Sequence, residues 1–408
     1  VIGEKIHLER LKCEHPCTIN CLFMKYFYNS FLVICMSFFG CSKDNSSSDN
    51  IEQTSITFID ELDKSKLAVK QTQDGGYIIG GQEDGRAWMS KLNEYGIMEW
   101  ENTYSLDDHL GYTRAIIQTQ DGGYLYAGWG GIVKADSMGN EEWKNNSKQY
   151  GAFPYYEDVI QHSNGSYYAV GGPGAGQAQF VKFDLNGNVL TRKWFGSSCE
   201  DDIFRSIIES PDGMLVIAGE KSHGNQSYKC AFNFMYYKDF WVLKVRKGGA
   251  LIWEKTYGGP FLEQADDITN LIDGGFGVIG AKCAHSYNIG SCSSVAKVMV
   301  IKIDDDGNLI EENQWSGLNF FERLPYLSIA GTSLGGISWV ADHKRKGTWM
   351  HKWGPLEDTV TVYTEGSGGF EINKTSDGGF VTGTMNGTLI KTNGEFLYGA
   401  EGGEDFTE

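Results

Sequence analysis

Short apolar runs separated by glycine turns recur along most of the chain. The run before Asp74-Gly75-Gly76 and the run after it each have the length of a strand, and the same arrangement returns around Asp121-Gly122-Gly123. Asp-Gly between two such runs favours a β-hairpin, because the tight turn requires residues with positive φ. The pattern therefore predicts antiparallel strand pairs along the chain.

Weaker copies of this hairpin follow, and successive copies are 43 to 61 residues apart. They lie at Asn164-Gly165, Asp212-Gly213, Asp273-Gly274-Gly275, Gly335-Gly336 and Asp377-Gly378-Gly379. Each copy continues with a third strand that contains a lysine, a second glycine turn and a fourth strand that usually contains a tryptophan. The lysines are Lys91, Lys134, Lys182, Lys244, Lys302 and Lys391, and the tryptophans are Trp100, Trp143, Trp194, Trp253 and Trp315. Four-stranded units at this period predict an all-β fold, a seven-bladed β-propeller with four antiparallel strands per blade, in which the tryptophans pack between neighbouring blades.

The seventh copy has only three strands of its own. Residues 53–60 read as a strand that precedes the first full copy and has no partner there. Pairing this N-terminal strand with the last blade would close the ring and remove two open strand edges. The sequence therefore predicts closure of the last blade by the N-terminal strand.

The N-terminal part of the chain has a different pattern. Residues 22–40 form an apolar stretch whose single charge is Lys25, and Cys41 follows at once. A secretory signal peptide and an uncleaved transmembrane helix both fit such a stretch. Gly40-Cys41 resembles the end of the bacterial lipoprotein signal, although Phe38-Phe39 departs from its usual residues. The resemblance implies that Cys41 is lipidated and becomes the mature N-terminus.

The residues after Cys41 resemble sorting signals of such lipoproteins. Ser42 is typical of lipoproteins sent to the outer membrane, and Lys43-Asp44 resembles the signal for export to the cell surface. We therefore expect four segments. Residues 1–23 are upstream translation, 24–40 are the signal peptide, 41–52 are the lipidated cysteine and a flexible tether, and 53–408 are the propeller.

Composition and charge narrow the classes of partner that the protein can bind. The chain has 53 glycines, 7 prolines and a formal net charge of −18. Such an acidic surface repels phosphate backbones and disfavours nucleic acid as a partner. The repeats from residue 53 to about 400 resemble those of bacterial surface lipoproteins, which implies the fold but no particular activity, because propellers include both enzymes and binding proteins.

Two motifs that suggest chemistry are better explained as hairpins. Asp304-Asp305-Asp306-Gly307 resembles a calcium loop, but Lys302 occupies the position of the first oxygen ligand. Gly331-Thr332-Ser333-Leu334-Gly335 matches the nucleophile elbow of hydrolases, but strands lie on both sides of it and no helix follows. The sequence predicts no catalytic, cofactor-binding or metal-binding residue.

The four cysteines of the propeller fall in the fourth and fifth repeats. Cys283 and Cys292 lie in one insertion and are the first expected pair, and Cys199 and Cys230 are the second. An exported protein can form such disulfides, and four cysteines allow three pairings.

The long insertions predict where a ligand binds. The glycine turns are short and share one face, whereas Lys221–Asp239 and Lys282–Lys297 lie on the opposite one, which we call the long-loop face. Long loops on a rigid scaffold commonly carry binding residues. The binding candidates are His223, Tyr228, Phe232, Phe234, Tyr236, Tyr237, His285 and Tyr287.

The main hypothesis is a surface lipoprotein that binds a glycan, a peptide or an envelope protein on this face. The alternatives are a carbohydrate-active enzyme and a structural subunit of an envelope complex. The enzyme would use carboxylates among Asp201, Asp202, Asp266 and Asp267. A further expectation concerns the position seven residues before each first turn's Asp, where opposite charges predict ion pairs near the axis. This position holds Leu67, Arg114, Glu157, Arg205, Asp266, Leu327 and Phe370.

Overall fold

The computed structural model describes most of the repeat region. It covers residues 56–392 except 60–64, 84–85, 106–111, 147–153, 173–175, 198–201, 224–236, 260–261, 284–295, 316–326, 333–335, 344–346, 355–356, 365–368 and 385–388. Every regular element in this part is a strand. It contains no helix long and apolar enough to cross a membrane.

The strands form seven four-stranded antiparallel sheets, numbered here as blades in chain order. Blade one consists of β2 (Ser65–Gln71), β3 (Tyr77–Glu83), β4 (Arg86–Leu92) and β5 (Met98–Tyr104). Blade two consists of β6 (Tyr112–Gln118), β7 (Tyr124–Trp129), β8 (Gly131–Ala135) and β9 (Glu141–Asn145). Blade three consists of β10 (Tyr156–Gln161), β11 (Tyr167–Gly171), β12 (Ala178–Phe183) and β13 (Val189–Phe195).

Blades four to seven repeat the same meander. Blade four consists of β14 (Ile203–Glu209), β15 (Leu215–His223), β16 (Tyr237–Val245) and β17 (Leu251–Tyr257). Blade five consists of β18 (Glu263–Asn270), β19 (Phe276–Cys283), β20 (Ala296–Ile303) and β21 (Leu309–Trp315). Blade six consists of β22 (Leu327–Gly331), β23 (Ile337–His343), β24 (Gly347–Gly354) and β25 (Glu357–Thr364). Blade seven consists of β26 (Gly369–Lys374), β27 (Phe380–Thr384), β28 (Leu389–Thr392) and β1 (Ile56–Ile59).

The N-terminal strand closes blade seven, as the sequence predicts. β1 pairs antiparallel with β28, and Ile56 lies opposite Thr392. The first strand of the chain thus covers the open edge of its last hairpin. The all-β propeller with four-stranded antiparallel blades is confirmed.

The contacts of the first glycine turn show why a lysine recurs in the third strand of several blades. In blade one, Thr72 Oγ1 donates a hydrogen bond to Asp74, which also accepts one from the Gly76 N–H. The buried Lys91 ammonium lies 2.9 Å from the second carboxylate oxygen of Asp74. The same lysine–aspartate pair recurs in blades two, four and seven. The lysine therefore fixes the Asp-Gly turn to the third strand.

The outer tryptophans pack against the next blade, as predicted. Trp143 donates a hydrogen bond to the Leu185 carbonyl at 2.9 Å. A Cβ added to Gly187 in the same turn would lie 2.4 Å from the Trp143 ring. Trp100 and Trp253 lie in the same way against the glycine of the following blade's second turn. Glycine is needed there both for its positive φ and for this contact.

Two strands of blade four extend further than the sequence indicated. The insertion was expected to span Lys221–Asp239, but β15 and β16 stay paired up to His223 and Tyr237. These residues therefore belong to a hairpin that projects beyond the blade, and residues 224–236 alone connect its strands. The register supports the extension because every residue from Leu215 onwards has a cross-strand partner.

Candidate functional site

A cavity of about 420 Å³ runs along the axis of the propeller. The innermost strand of each blade contributes to its wall, namely β2, β6, β10, β14, β18, β22 and β26. Each of these strands ends at the first glycine turn of its blade and therefore begins at the long-loop face. Residues near the start of these strands form the end of the cavity that faces the long loops.

Six of the inner strands contain a β-bulge, which brings an additional residue of the strand into this wall. The register shifts between Tyr156 and Asp158 in blade three and between Phe204 and Ser206 in blade four. Equivalent shifts occur in blades one, two, five and seven. A bulge places two consecutive residues opposite one partner and redirects their side chains. For this reason both Glu157 and the next residue, Asp158, line the cavity.

The bulge residues of blades two, three and four form a network of opposite charges. Arg114 Nε lies 3.4 Å from Glu157 Oε2, and Arg205 Nη1 lies 2.5 Å from Glu157 Oε1. Tyr155 donates a hydrogen bond to Glu157 at 2.6 Å and accepts one from Arg114 at 2.9 Å. The expected ion pairs near the axis are therefore confirmed for these three blades.

The network continues into blade four. Arg205 Nη2 contacts Glu220 Oε1 at 2.7 Å, and Lys238 Nζ contacts Glu220 Oε2 at 2.6 Å. Burial opposes the ionised Glu220 carboxylate, but Arg205 and Lys238 outweigh it and lower its pKa. Glu220 thus holds the Arg205 guanidinium in place from behind the cavity wall.

Asp266, at the bulge position of blade five, has one carboxyl oxygen that accepts no hydrogen bond from a described residue. Gln264 donates to its Oδ1 at 2.6 Å. Its Oδ2 is buried and has no hydrogen-bond partner among the described residues. Burial raises the pKa of Asp266 well above the ordinary range against the effect of Arg205, and Glu220 and Glu157 add to the rise. The raised pKa favours the neutral form of this carboxyl group, which can donate as well as accept.

The next layer, deeper in the cavity, contains Asp158, Asp267 and Lys70. Burial raises the pKa of Asp158 to about 7 although the Lys70 ammonium opposes the rise. The pKa of Asp267 is also raised by burial. Burial disfavours the charged Lys70, but Glu371, Asp158 and Asp267 outweigh it and raise its pKa. Lys70 thus stays protonated, and its positive charge interacts with all three carboxyl groups.

This deeper layer also joins the blades. Its acids accept hydrogen bonds from backbone N–H groups of the next blade, at 2.9 to 3.1 Å. The pairs are Asp158 with Ile207, Asp267 with Ile329 and Glu371 with Val69. Ser206 and Ser328 donate to the two oxygens of Asp267 at 2.7 Å each. Since Asp267 is saturated in this way, its role is structural.

An exposed aromatic pair lies beside the charged network. Trp129, at the end of β7, is 39% exposed and bridges in antiparallel fashion to Tyr155. The two rings meet edge to face, with centroids 6.0 Å apart. The Arg114 guanidinium lies over the other ring, 5.7 Å from the Tyr155 centroid. The contacts run from Trp129 through Tyr155 into the charged cavity wall.

The structure places the predicted carboxylates in three ways. Asp266 and Asp267 line the cavity. Asp202 is buried away from it, where it accepts hydrogen bonds from the N–H groups of Ser197 and Ser222. Asp201 lies outside the described residues.

Most of the predicted binding and cysteine residues lie outside the described part of the chain. These are Cys41, Cys199, Cys230, Cys292, Tyr228, Phe232, Phe234, Tyr236, His285 and Tyr287. His223 is the last residue of β15 and Tyr237 is the first residue of β16, and the structure describes only their backbone positions. Cys283 was expected in a loop but is the buried last residue of β19, and it is disulfide-bonded. Its partner stays a prediction.

Sequence reasoning missed Lys70, Asp158, Trp129 and Tyr155. One signal was available, because blades three and five each have a second acid directly after the predicted charged position. The described residues contain no group of three His, Cys, Asp or Glu side chains that could hold a metal ion.

Comparisons with known proteins agree on the fold. No family model matches the sequence, and no curated protein resembles it. A streptogramin B lyase structure is similar with a TM-score of 0.58 and 14% identity, covering 85% of this chain and 99% of the other. The WD40 β-propeller domain of Doa1 gives 0.51 and 12%, over 85% and 98% of the two chains. The WD40 domain of Neurospora crassa Pan2 gives 0.52 and 10%, over 82% and 90%. At these identities the likeness shows a β-propeller.

Proposed function

We propose that this chain is a surface-anchored binding protein whose ligand enters the axial cavity from the long-loop face. The observation that supports the proposal is Asp266, whose buried Oδ2 has no described partner and lies in a wall that also contains Arg114, Glu157 and Arg205. Buried polar atoms are nearly always paired in folded proteins. A ligand that reaches Asp266 would supply the missing partner.

We also infer that the seven sheets form one closed ring of seven blades. Blade seven is joined to blade one by the Glu371–Val69 hydrogen bond and by the Ser376 N–H, which donates to Gln71 at 2.7 Å. Similar side chain–backbone bonds join blades one to two and two to three. A closed ring gives the cavity a continuous wall.

The position of β1 gives the face at which the chain enters the propeller. Ile56 lies opposite Thr392, next to the Lys391–Asp377 pair of the Asp-Gly turn. The chain therefore enters the propeller from the Asp-Gly-turn face. A lipid on Cys41 would tether the protein to a membrane through this end of the chain. Cys41→Ser should abolish acyl labelling and release the protein from membranes. A membrane-bound Cys41→Ser protein would instead support a transmembrane anchor.

A binding screen tests the function itself. The purified protein would be titrated with oligosaccharides, peptides and envelope fractions, together with an Arg114→Gln variant and an Arg246→Gln control in a turn of the opposite face. We expect saturable binding that Arg114→Gln weakens by about tenfold or more and that Arg246→Gln leaves unchanged. Binding that is equal in all three proteins would place the ligand elsewhere.

One observation favours an enzymatic alternative. Burial raises the pKa of Asp266 well above the ordinary range, and a carboxyl group with a raised pKa can serve as a general acid. The same titrations should therefore be analysed for product. Turnover that disappears in Asp266→Asn would identify a carbohydrate-active enzyme, and unchanged ligands would leave the binding function.

A further inference from the structure

The cavity wall nearest the long-loop face contains a group of linked ion pairs. Arg114 and Arg205 both contact Glu157, and all three residues line the cavity. Arg205 also contacts Glu220, which lies behind the wall and contacts Lys238. These contacts join three cationic side chains to two carboxylates. The group therefore carries a net positive charge, although the whole chain has a formal net charge of −18.

Asp266 lines the same part of the wall and does not cancel this charge. Among the described residues it forms no ion pair, and its one hydrogen bond comes from the neutral amide of Gln264 at 2.6 Å. A buried carboxylate without a counter-ion costs much more free energy than the neutral carboxyl group. Burial accordingly raises the pKa of Asp266 although Arg205 opposes the rise, and Glu220 and Glu157 act in the same direction as burial. Asp266 therefore favours the form that carries an O–H donor.

Arg205 still has hydrogen-bond donors for a ligand. It donates from Nε and Nη2 to Glu220 and from Nη1 to Glu157. A guanidinium group has five N–H donors, so three are used in this way and two have no acceptor among the described residues. The charge of Arg205 acts on Asp266, yet the two side chains form no hydrogen bond or ion pair with each other. A ligand group placed between them would accept from both.

From these observations we propose that the ligand presents a carboxylate group to this end of the cavity. The carboxylate accepts hydrogen bonds from Arg205 and from the Oδ2 hydroxyl of Asp266, and Arg114 adds a second positive charge. This inference rests on the binding function proposed above and names the chemical class of the group that is bound.

Other ligand groups fit this wall less well. An ammonium group would meet two guanidinium groups, which repel it. A hydroxyl group would use the same donors but would gain nothing from the net positive charge, and hydrogen bonds to an ionised group are roughly twice as strong as those between neutral groups. A cavity of about 420 Å³ accommodates a small molecule or the end of a chain. An acidic sugar and the C-terminus of a peptide are therefore both suitable sources of the carboxylate.

The experiment uses the full-length protein and pairs of probes that differ only in the carboxylate. Digalacturonate is compared with its methyl ester, and an N-acetylated alanine tripeptide with the same peptide as its C-terminal amide. A glucosamine dimer represents cationic ligands. Calorimetry measures each affinity, and the sugar pair and the peptide pair distinguish the two sources.

The variants are Arg114→Gln, Asp266→Ala and Asp266→Asn, with Arg246→Gln as the control in a turn of the opposite face. We expect the acid of one pair to bind about tenfold or more tightly than its neutral counterpart. Arg114→Gln and Asp266→Ala should each weaken its binding by about tenfold or more, and Arg246→Gln should not. The amide of Asp266→Asn donates as the neutral acid does, so this variant should recover most of the loss caused by Asp266→Ala.

The pH dependence of binding tests the role of Asp266 directly. Raising the pH ionises Asp266 and places a like charge against the ligand carboxylate, so the affinity of the wild type should fall at alkaline pH. Asp266→Asn cannot ionise and should show a smaller fall. Asp158, whose pKa is about 7, is present in both proteins, so its titration cancels in this comparison.

Three results would overturn this inference while keeping the binding function, provided that Arg114→Gln still weakens binding. They are equal binding of an acid and its neutral counterpart, preference for the amine, and an Asp266→Asn variant as weak as Asp266→Ala. No binding of either acid would overturn the inference as well, and the wider screen above would then decide the binding function. Binding that no cavity variant alters would overturn both. Melting temperatures establish that each variant is folded.

Discussion

A buried lysine in the third strand of four blades is the residue whose role is least evident from its type. Lys134 has a side chain only 2% exposed, and its ammonium contacts Asp121 at 3.1 Å, Glu142 at 2.8 Å and the Ala135 carbonyl at 3.0 Å. Both acids are about half exposed. The desolvated charge therefore belongs to the lysine, and its two partners remain in water.

This asymmetry predicts unequal effects of removing either partner. Lys134→Met leaves two hydrated acids and should lower the free energy of unfolding by about 0–2 kcal/mol. Asp121→Ala removes the bonds to Thr119 and the Gly123 N–H and leaves the buried ammonium with fewer partners, which should cost about 2–4 kcal/mol. Chemical denaturation measures both values. A larger loss for Lys134→Met would contradict the argument.

Asp158 predicts a pH dependence of stability. Burial raises its pKa from 3.8 to about 7, so the folded state binds this proton more tightly than the unfolded state. Its contribution to stability is present below pH 4 and is lost as the pH rises to about 7. Lys70 and Asp267 face it across the cavity. We expect Asp158→Asn to lose less stability than the wild type between pH 4 and 7. Parallel curves in urea denaturation across this range would refute the assignment.

At the residue scale the sequence supported some assignments and missed others. The bulge position of blades two to five was predicted to carry ion pairs, because its charges alternate in sign along the chain. The residue after it was not predicted, because a regular strand would turn Asp158 away from Glu157. Only the bulge, which no residue type marks here, brings both into the cavity.

At the element scale, the turns and outer strands interlock more tightly than their sequences indicate. The second turn of each of three blades places its glycine directly under the preceding blade's tryptophan. The first turns lack this contact, and at Gly165 a Cβ would meet nothing within 4 Å. Both kinds of glycine have positive φ, so the sequence predicts both turns equally well and does not reveal which of them is packed.

Alanine substitutions separate these two roles of glycine. Gly165→Ala should cost about 1–2 kcal/mol, since it introduces only a side chain at positive φ. Gly187→Ala also forces a Cβ to within 2.4 Å of the Trp143 ring and should cost about 2–5 kcal/mol. Thermal denaturation of the two variants tests the difference. Equal destabilisation would mean that Trp143 moves aside without loss.

At the scale of the whole molecule, the repeat predicted the architecture because its period, its turns and its missing strand all agree. The cavity could not be predicted, since its wall combines residues from seven strands that are distant in sequence. The long loops were the more visible candidates in the sequence, and the structure adds the charged residues of the axial cavity. The hairpin of β15 and β16 extends the blade where a loop was expected.

Ring closure predicts that β1 matters to the entire domain. Deleting residues 51–60 exposes the edge of β28 and leaves blade seven with three strands. We expect a drop in melting temperature of the whole domain and a tendency to associate through the open edge. A deletion of residues 43–50, which keeps β1, serves as the control. An unchanged melting temperature after the first deletion would mean that β1 does not hold the ring closed.

The pairing of β1 with β28 also sets the order of events during biosynthesis. A chain is made from its N-terminus, so β1 is produced first and its partner β28 last, and the closing strand waits while almost the entire domain is synthesised. Contacts between such distant segments form late, because loop closure opposes them until the intervening units are folded. For that interval β1 is an unpaired strand, available to neighbouring chains or to a chaperone. The propeller is therefore complete only when β28 has been made. Truncated products that lack β28 should be recognisable by an unpaired β1.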